Sequence, residues 1–316
     1  MRDSFIKSIY KATKTDRNVL ILVGDIGSFL LRFYIKDFPQ NYYNLGAAEA
    51  NMMGVAAGLA MSGKIPFVYT ITPFATSRCY EQVKDDVCYN EANVKIVGIG
   101  SGVSYGTMGS THHSLEDVAI MRALPNMVVI APSDPLEVEE AVLAAAKYKG
   151  PTYIRLTLQA QPLSYKRGTF KIGKARVVRK GSDVAIIAAG DMVVIGLEAA
   201  NILKKYNINC SVVNMHTIKP IDEALIKKLS RECKAIVSLE EHSTIGGLGS
   251  AVSDVLSQYP KGKAILKIMG FNDVFCKEYA KDKMKIFEKY GLSAKHVAKE
   301  VLKLNRYDES NNKKRR

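Results

Sequence analysis

Residues 44–63 read NLGAAEANMMGVAAGLAMSG and lie between two apolar runs, VLILVG (19–24) and IPFVYT (65–70). Ala47, Ala48, Ala50, Met52, Met53, Val55, Ala56 and Ala57 recur at helical spacing with almost no polar face, so the segment is expected to form a helix packed on all sides. Glu49 stands alone in it, and an isolated carboxylate among hydrocarbon is costly. The flanking runs are continuously rather than alternately apolar, which marks strands covered on both faces.

The same alternation continues outward. VKIVGIG (94–100), MVVIAP (127–132) and PTYIRL (151–156) are further strand candidates between helix-period segments, which predicts an α/β layer domain with a largely parallel sheet. The pattern lapses in QAQPLSYKRGTFKIGKARVVRKG (159–181), polar and basic with its own turn residues, as expected of a linker with a short hairpin. A second series follows: DVAIIAAG (183–190), INCSVVNM (208–215), KAIVSLEE (234–241) and AILKIMG (264–270). The expected organisation is a parallel-sheet domain over 1–157, a linker over 158–181, a smaller α/β domain over 182–305 and a disordered basic tail over 306–316.

The totals fit this outline. A chain of 316 residues can bury two cores, and 47% hydrophobic with 24% charged residues describes a globular protein. The opening residues do not read as a secretory leader and no apolar run reaches bilayer length, so a cytoplasmic protein that neither is exported nor spans a membrane is expected. Five cysteines without a CxxC pair predict buried thiols and neither disulfides nor a zinc site. The net charge of +14 is spread along helices without interleaved aromatics, which favours a solvated surface over nucleic-acid binding.

In open α/β sheets ligands bind beyond the carboxyl ends of strands. Those positions offer Asp25, the loop SGVSYGTMGSTHH (101–113) and Arg155. Such a glycine-rich loop can bring its backbone close to a ligand. Adjacent residues of an extended segment project oppositely, so one of His112 and His113 faces the site and the other is structural. The pair lacks a third ligand for a metal. GGLGS (246–250) follows a strand and opens a helix, but is read as a packing turn rather than a nucleotide site.

Taken in order, NLGAAEANMMGVAAGLAMSGKIPFV, STHHSLEDVAIMRALPNMVVIAPSD, TIKPIDEALI and LEEHSTIGGLGSAV resemble the carboxyl-terminal half of a transketolase, in the form encoded as a separate subunit. The resemblance runs from Arg2 to about Leu304 and implies a pyrimidine-binding domain followed by a transketolase C-terminal domain. It implies thiamine diphosphate as cofactor. In that family the glutamate matching Glu49 hydrogen-bonds the aminopyrimidine, and an apolar setting suits a carboxyl that shares a proton with a ring nitrogen. Phe74 matches the ring that stacks on the aminopyrimidine, Asp25 an aspartate near the cofactor at the subunit interface, and His112 the histidine that contacts the donor. Arg155 and Arg2 match substrate-phosphate arginines, and His113 is carried as a substrate-binding neighbour.

The sequence departs from the family at Met108, where an aspartate reads a substrate hydroxyl, and at Gly100, where a histidine stands. Ile71 and Ser77 replace aromatic partners of Phe74. These changes put the usual ketose donors in doubt. The family holds magnesium with a GDG motif, and GDIGS (24–28) lacks that arrangement. The resemblance therefore implies a partner, the N-terminal transketolase subunit, that supplies the diphosphate and Mg²⁺ ligands, in an α2β2 assembly acting on sugar or sugar-phosphate substrates. The alternatives are the β subunit of a 2-oxo acid dehydrogenase and a non-catalytic scaffold or nucleic-acid binder.

Overall fold

The structure, a computed structural model, describes residues 1–158, 160–163 and 168–314. Six strands come first: β1 (Val19–Val23), β2 (Tyr42–Asn44), β3 (Ile65–Ile71), β4 (Lys95–Ile99), β5 (Val128–Ile130) and β6 (Thr152–Leu156). Six follow: β7 (Arg176–Arg179), β8 (Val184–Ala188), β9 (Cys210–Asn214), β10 (Thr217–Lys219), β11 (Ala235–Ser243) and β12 (Ile265–Phe271). They form two sheets, ordered β10-β5-β6-β4-β3-β1-β2 and β12-β11-β8-β9-β7. Pairing is parallel except at β10 and β7, which lie antiparallel on the edges.

Strands β1, β3, β4 and β6 each serve two cores because their side chains alternate. Leu20 and Leu22 of β1 join Met52, Met53 and Ala56 on one face. Val19, Ile21 and Val23 join Phe5, Ile9 and Val138 on the other. Phe5, on the helix Arg2–Thr15, stacks on Tyr69 of β3 at 4.9 Å. Burying a side chain of this size contributes about 2–3 kcal/mol, enough to fix which face of the helix meets the sheet. The helix Pro135–Lys147 covers the same face, its start set by Pro135 and by Asp134, whose carboxylate accepts from Glu137 N–H at 2.7 Å.

Several expectations are corrected. The helix Glu49–Met61 does not pack on all sides: Met52, Met53, Ala56 and Ala57 are buried, while Ala50, Asn51, Val55, Gly58 and Met61 are exposed. A helix lying on one sheet face can bury only the stripe that meets it. The second domain does not begin after residue 181, because Arg176–Arg179 is β7, paired with β9. The expected hairpin falls partly on 164–167, outside the described residues, and the described part of 158–175 contains no strand. The helix Ala294–Lys314 runs into the expected tail as far as Lys314, with no proline or glycine in that stretch. Residues 315–316 lie outside the described residues.

The two units are also not simply in series. β10 comes from the second half of the chain yet pairs with β5, Thr217 opposite Ile130 and Lys219 opposite Val129. Ile218 is buried in the core of the first sheet, and His216 O accepts from Ala131 N–H at 2.7 Å. All five cysteines are free and buried, as expected. Among the described residues no helix is long and apolar enough to cross a membrane.

Candidate active site

The carboxyl ends of β1, β3, β4 and β6 open onto one edge of the first sheet, and the flagged residues gather there or just beneath it. Glu49 is the first residue of its helix, where the unpaired N–H groups favour negative charge. Its side chain is only 2% exposed, and Oε2 accepts from Arg78 NH1 at 2.8 Å. The carboxylate is therefore paired rather than solitary. Oε1 borders the space over Gly24, where an added Cβ would lie 3.3 Å from it and 3.0 Å from Thr70 Oγ1. That hydroxyl is buried without a partner. A small cradle thus exists beside Glu49 only because residue 24 has no side chain.

Phe74 sits on the short helix Thr72–Ala75, just after β3. Its ring meets the His112 imidazole edge-on at 5.3 Å, and His112 meets Tyr105 edge-on at 5.8 Å. Arg78 Cζ lies 3.8 Å over the Phe74 ring. Cys79 completes the floor, its Sγ 3.3 Å from Phe74 O. Burial, with the charge of Glu49 added, pushes its thiol up to about 12, which leaves it un-ionised at neutral pH.

Asp25 stands at the rim with φ 54°, exposed, in a reciprocal pair with Asn44. Asn44 Nδ2 donates to Asp25 Oδ1 and Asp25 N–H donates to Asn44 Oδ1, each at 3.1 Å. His112 Nδ1 is engaged by Thr111 Oγ1 at 2.9 Å. His113 is turned inward and buried. Burial holds its ring below the ordinary histidine value while the carbonyls of Tyr105 and Cys276 pull the other way, and its nitrogens are closed to solvent. The two histidines do face apart. Arg2 is exposed at the start of the first helix, close enough for its charge to bear on the hydroxyls of Tyr69 and Tyr105.

Arg155 is not at the open edge. It is buried, with Nε donating to Asp117 Oδ2 at 2.8 Å and NH2 donating to the carbonyls of Glu241 at 2.9 Å and Ser114 at 3.4 Å. Burial alone would raise the Asp117 carboxyl, and the Arg155 and His242 charges outweigh it, holding it below the usual carboxylate range. The guanidinium expected to face a phosphate instead ties the first sheet to β11. β11 also fastens both stems of the histidine loop. Glu241 Oε1 accepts from Val103 N–H at 2.9 Å, and Ser243 N–H donates to Leu115 O at 2.7 Å. A Cβ on Gly102 would lie 2.3 Å from the Glu241 carboxyl carbon, so glycine is required there.

The LEEH and GGLG segments have a structural explanation. Glu240 accepts from Leu248 N–H at 2.7 Å and Gly249 N–H at 2.9 Å, capping the helix Leu248–Ser257. A Cβ on Gly247 would lie 2.0 Å from Glu240 Oε2.

The departures from family pattern also have a geometry. Gly100 has φ +77°, and a Cβ there would lie 2.0 Å from Tyr105 Cε2. The Tyr105 ring fills the volume that a side chain at 100 would occupy. Met108 is exposed on the loop. Sequence reading singled out neither Tyr105 nor Arg78. Tyr105 lay within the flagged loop. Arg78 follows Phe74 by four positions, a spacing that allows a cation–ring contact.

Comparisons with known proteins agree with this arrangement. Residues 1–162 match the family model of the transketolase pyrimidine binding domain, and residues 173–297 that of the transketolase C-terminal domain. A Methanocaldococcus jannaschii protein named as a transketolase C-terminal section is 40% identical over 96% of this chain and 95% of its own length. A Phocaeicola vulgatus protein named as one of the subunits of an apulose-4-phosphate transketolase is 36% identical over 95% of this chain and 96% of its own. A solved structure described as a split gene transketolase in an inactive β4 tetramer superposes with a TM-score of 0.86 at 38% identity, covering 96% of this chain and 97% of that one. These relatives favour neither a 2-oxo acid dehydrogenase subunit nor a non-catalytic binder. The chain belongs to the transketolase family, carrying its pyrimidine-binding and C-terminal domains and its ketol-transfer type of function.

Proposed function

We propose that the chain is one subunit of a two-chain transketolase that moves a two-carbon ketol unit between sugar or sugar-phosphate substrates with thiamine diphosphate. The observation that carries this reading is Glu49: a carboxylate 2% exposed, at a helix start, beside an aromatic face and an imidazole at the carboxyl edge of a parallel sheet. The cradle over Gly24 and the unpartnered Thr70 hydroxyl fit a flat polar ring. When bound, the cofactor would supply the nucleophilic carbon and electron sink that two-carbon transfer needs.

The chain's own residues bind, orient and move protons. Glu49 shares a proton with a ring nitrogen in a site screened from water, where such hydrogen bonds are strongest. Phe74 offers a stacking face, and Asp25 marks the rim. His112, with Nδ1 held by Thr111, keeps Nε2 for a donor hydroxyl. Arg2 rather than Arg155 is assigned the substrate phosphate, an assignment supported by the commitment of Arg155 to Asp117 and Glu241. Residues 1–157 are assigned to the cofactor side and the second sheet to the C-terminal domain.

The diphosphate and its magnesium are assigned to a partner subunit in an α2β2 assembly. Relatives named as a subunit or a section support this, as does the exposed side of the helix Glu49–Met61, whose Ala50 and Gly58 permit close approach of another chain. Tyr105 in place of a side chain at 100, and Met108 in place of an aspartate, direct the enzyme away from ordinary ketose donors. The sugar-phosphate reading draws on the Phocaeicola vulgatus relative's name.

The test is reconstitution with the partner, assaying two-carbon transfer between sugar phosphates against decarboxylation of a 2-oxo acid. The chain alone is expected to be inactive, and Glu49→Ala to abolish transfer in the complex. Wild-type transfer rates in that variant would end the assignment.

A further inference from the structure

The carboxylate and the ring assigned above to the cofactor are both engaged by one side chain of the protein itself. Arg78 NH1 donates to Glu49 Oε2 at 2.8 Å while its Cζ lies 3.8 Å from the Phe74 ring centre. A guanidinium is planar, conjugated and edged with donors, so it meets a buried carboxylate and an aromatic face together, as a stacked aminopyrimidine would. The two cannot occupy the same side of Phe74 at once. Arg78 lies on the single turn Ser77–Cys79 and is 48% exposed. Among the described residues its side chain makes no other hydrogen bond, so a rotamer change moves it to solvent without disturbing a strand or a long helix.

We propose that Arg78 is a further residue of the cofactor site, holding the ring's place in the free chain and yielding it when the ligand docks. This rests on the thiamine diphosphate reading above. It accounts for how a carboxylate as closed off as Glu49 is tolerated before any ligand arrives: its charge is answered from within the chain. It also means that part of the affinity is consumed in eviction. Binding replaces one stack and one charge-assisted hydrogen bond by another, so the net gain is the difference.

The experiment is calorimetric titration of thiamine diphosphate, with Mg²⁺ present, into the complex of this chain with its partner, comparing wild type with Arg78→Ala and Arg78→Met. Removing the guanidinium is expected to tighten binding about tenfold, from a half-exposed ion pair and a cation–ring contact of modest strength each. Methionine keeps apolar cover on Phe74 and should fall between wild type and alanine. Equal or weaker binding in both variants would overturn the proposal while leaving the cofactor reading intact. A wild-type complex that binds no thiamine diphosphate would overturn both.

Discussion

Arg155→Met separates two roles that one sequence position could serve. Arg155 is 6% exposed and Asp117 fully buried, and Asp117 Oδ2 also accepts from Tyr153 OH at 2.6 Å. Removing the guanidinium leaves a carboxylate in the interior without the ion partner that touches it, a loss that costs about 3–5 kcal/mol. The carbonyls of Ser114 and Glu241 lose a donor as well, about 1 kcal/mol each where no water replaces it. Urea unfolding at neutral pH should therefore show a deficit of about 5–7 kcal/mol. Acid should narrow it. In the wild type the Asp117 carboxyl lies below its ordinary value, so its contribution is complete above the unfolded value of about 3.9 and is lost as pH falls through the lower folded one. In the variant burial is opposed only by the His242 charge and the Tyr153 hydrogen bond, so the carboxyl rises relative to the wild type and the variant loses less stability than the wild type as pH drops. Asp117→Asn placed on Arg155→Met should recover about half the deficit, because the buried charge has gone. A variant within about 1 kcal/mol of wild type, with a raised KM for sugar phosphate instead, would refute the structural role and restore Arg155 to the substrate.

Two further outcomes follow from other sites. Gly247→Ala would force the Glu240 carboxylate off the start of the helix Leu248–Ser257, where a Cβ has 2.0 Å of room; lost capping and crowding together should lower unfolding stability by about 2–3 kcal/mol. His216 is buried against Phe170 at 4.3 Å, and burial followed by the Arg176 charge brings its pKa down to about 3. Its neutral form is favoured, so stability is flat above about pH 6.5 and falls by up to about 1.4 kcal/mol per unit below it. Chemical denaturation of His216→Gln at pH 7 and pH 5 should show a pH difference about 2 kcal/mol smaller than the wild type's, and an equal difference would exclude the effect.

What could be read from the chain was whatever had a local cause. β1, β4 and β6 are continuous apolar runs because both faces are covered, and Glu49 announced itself as the one carboxylate in a small-residue helix. β10 gave no such signal: three residues acquire a partner only when β5 lies alongside, and nothing in Thr217–Lys219 specifies that edge. Arg155 was ambiguous for a related reason. An arginine at a strand end can reach a ligand or a buried acid, and the choice is made by Asp117, thirty-eight positions away. Arg78 gave no signal because its partner Glu49 lies twenty-nine positions away. The open side of the helix Glu49–Met61 was missed because composition reports how apolar a segment is, not whether its own chain can cover it.

The β10 crossing sets a rule for dissection. A cut anywhere between the two sheets strips β5 of its neighbour, bares Ile218's seat, and leaves a raw backbone edge able to recruit other molecules into aggregates. Each of the two family domains therefore leans on the other for one edge of the first sheet.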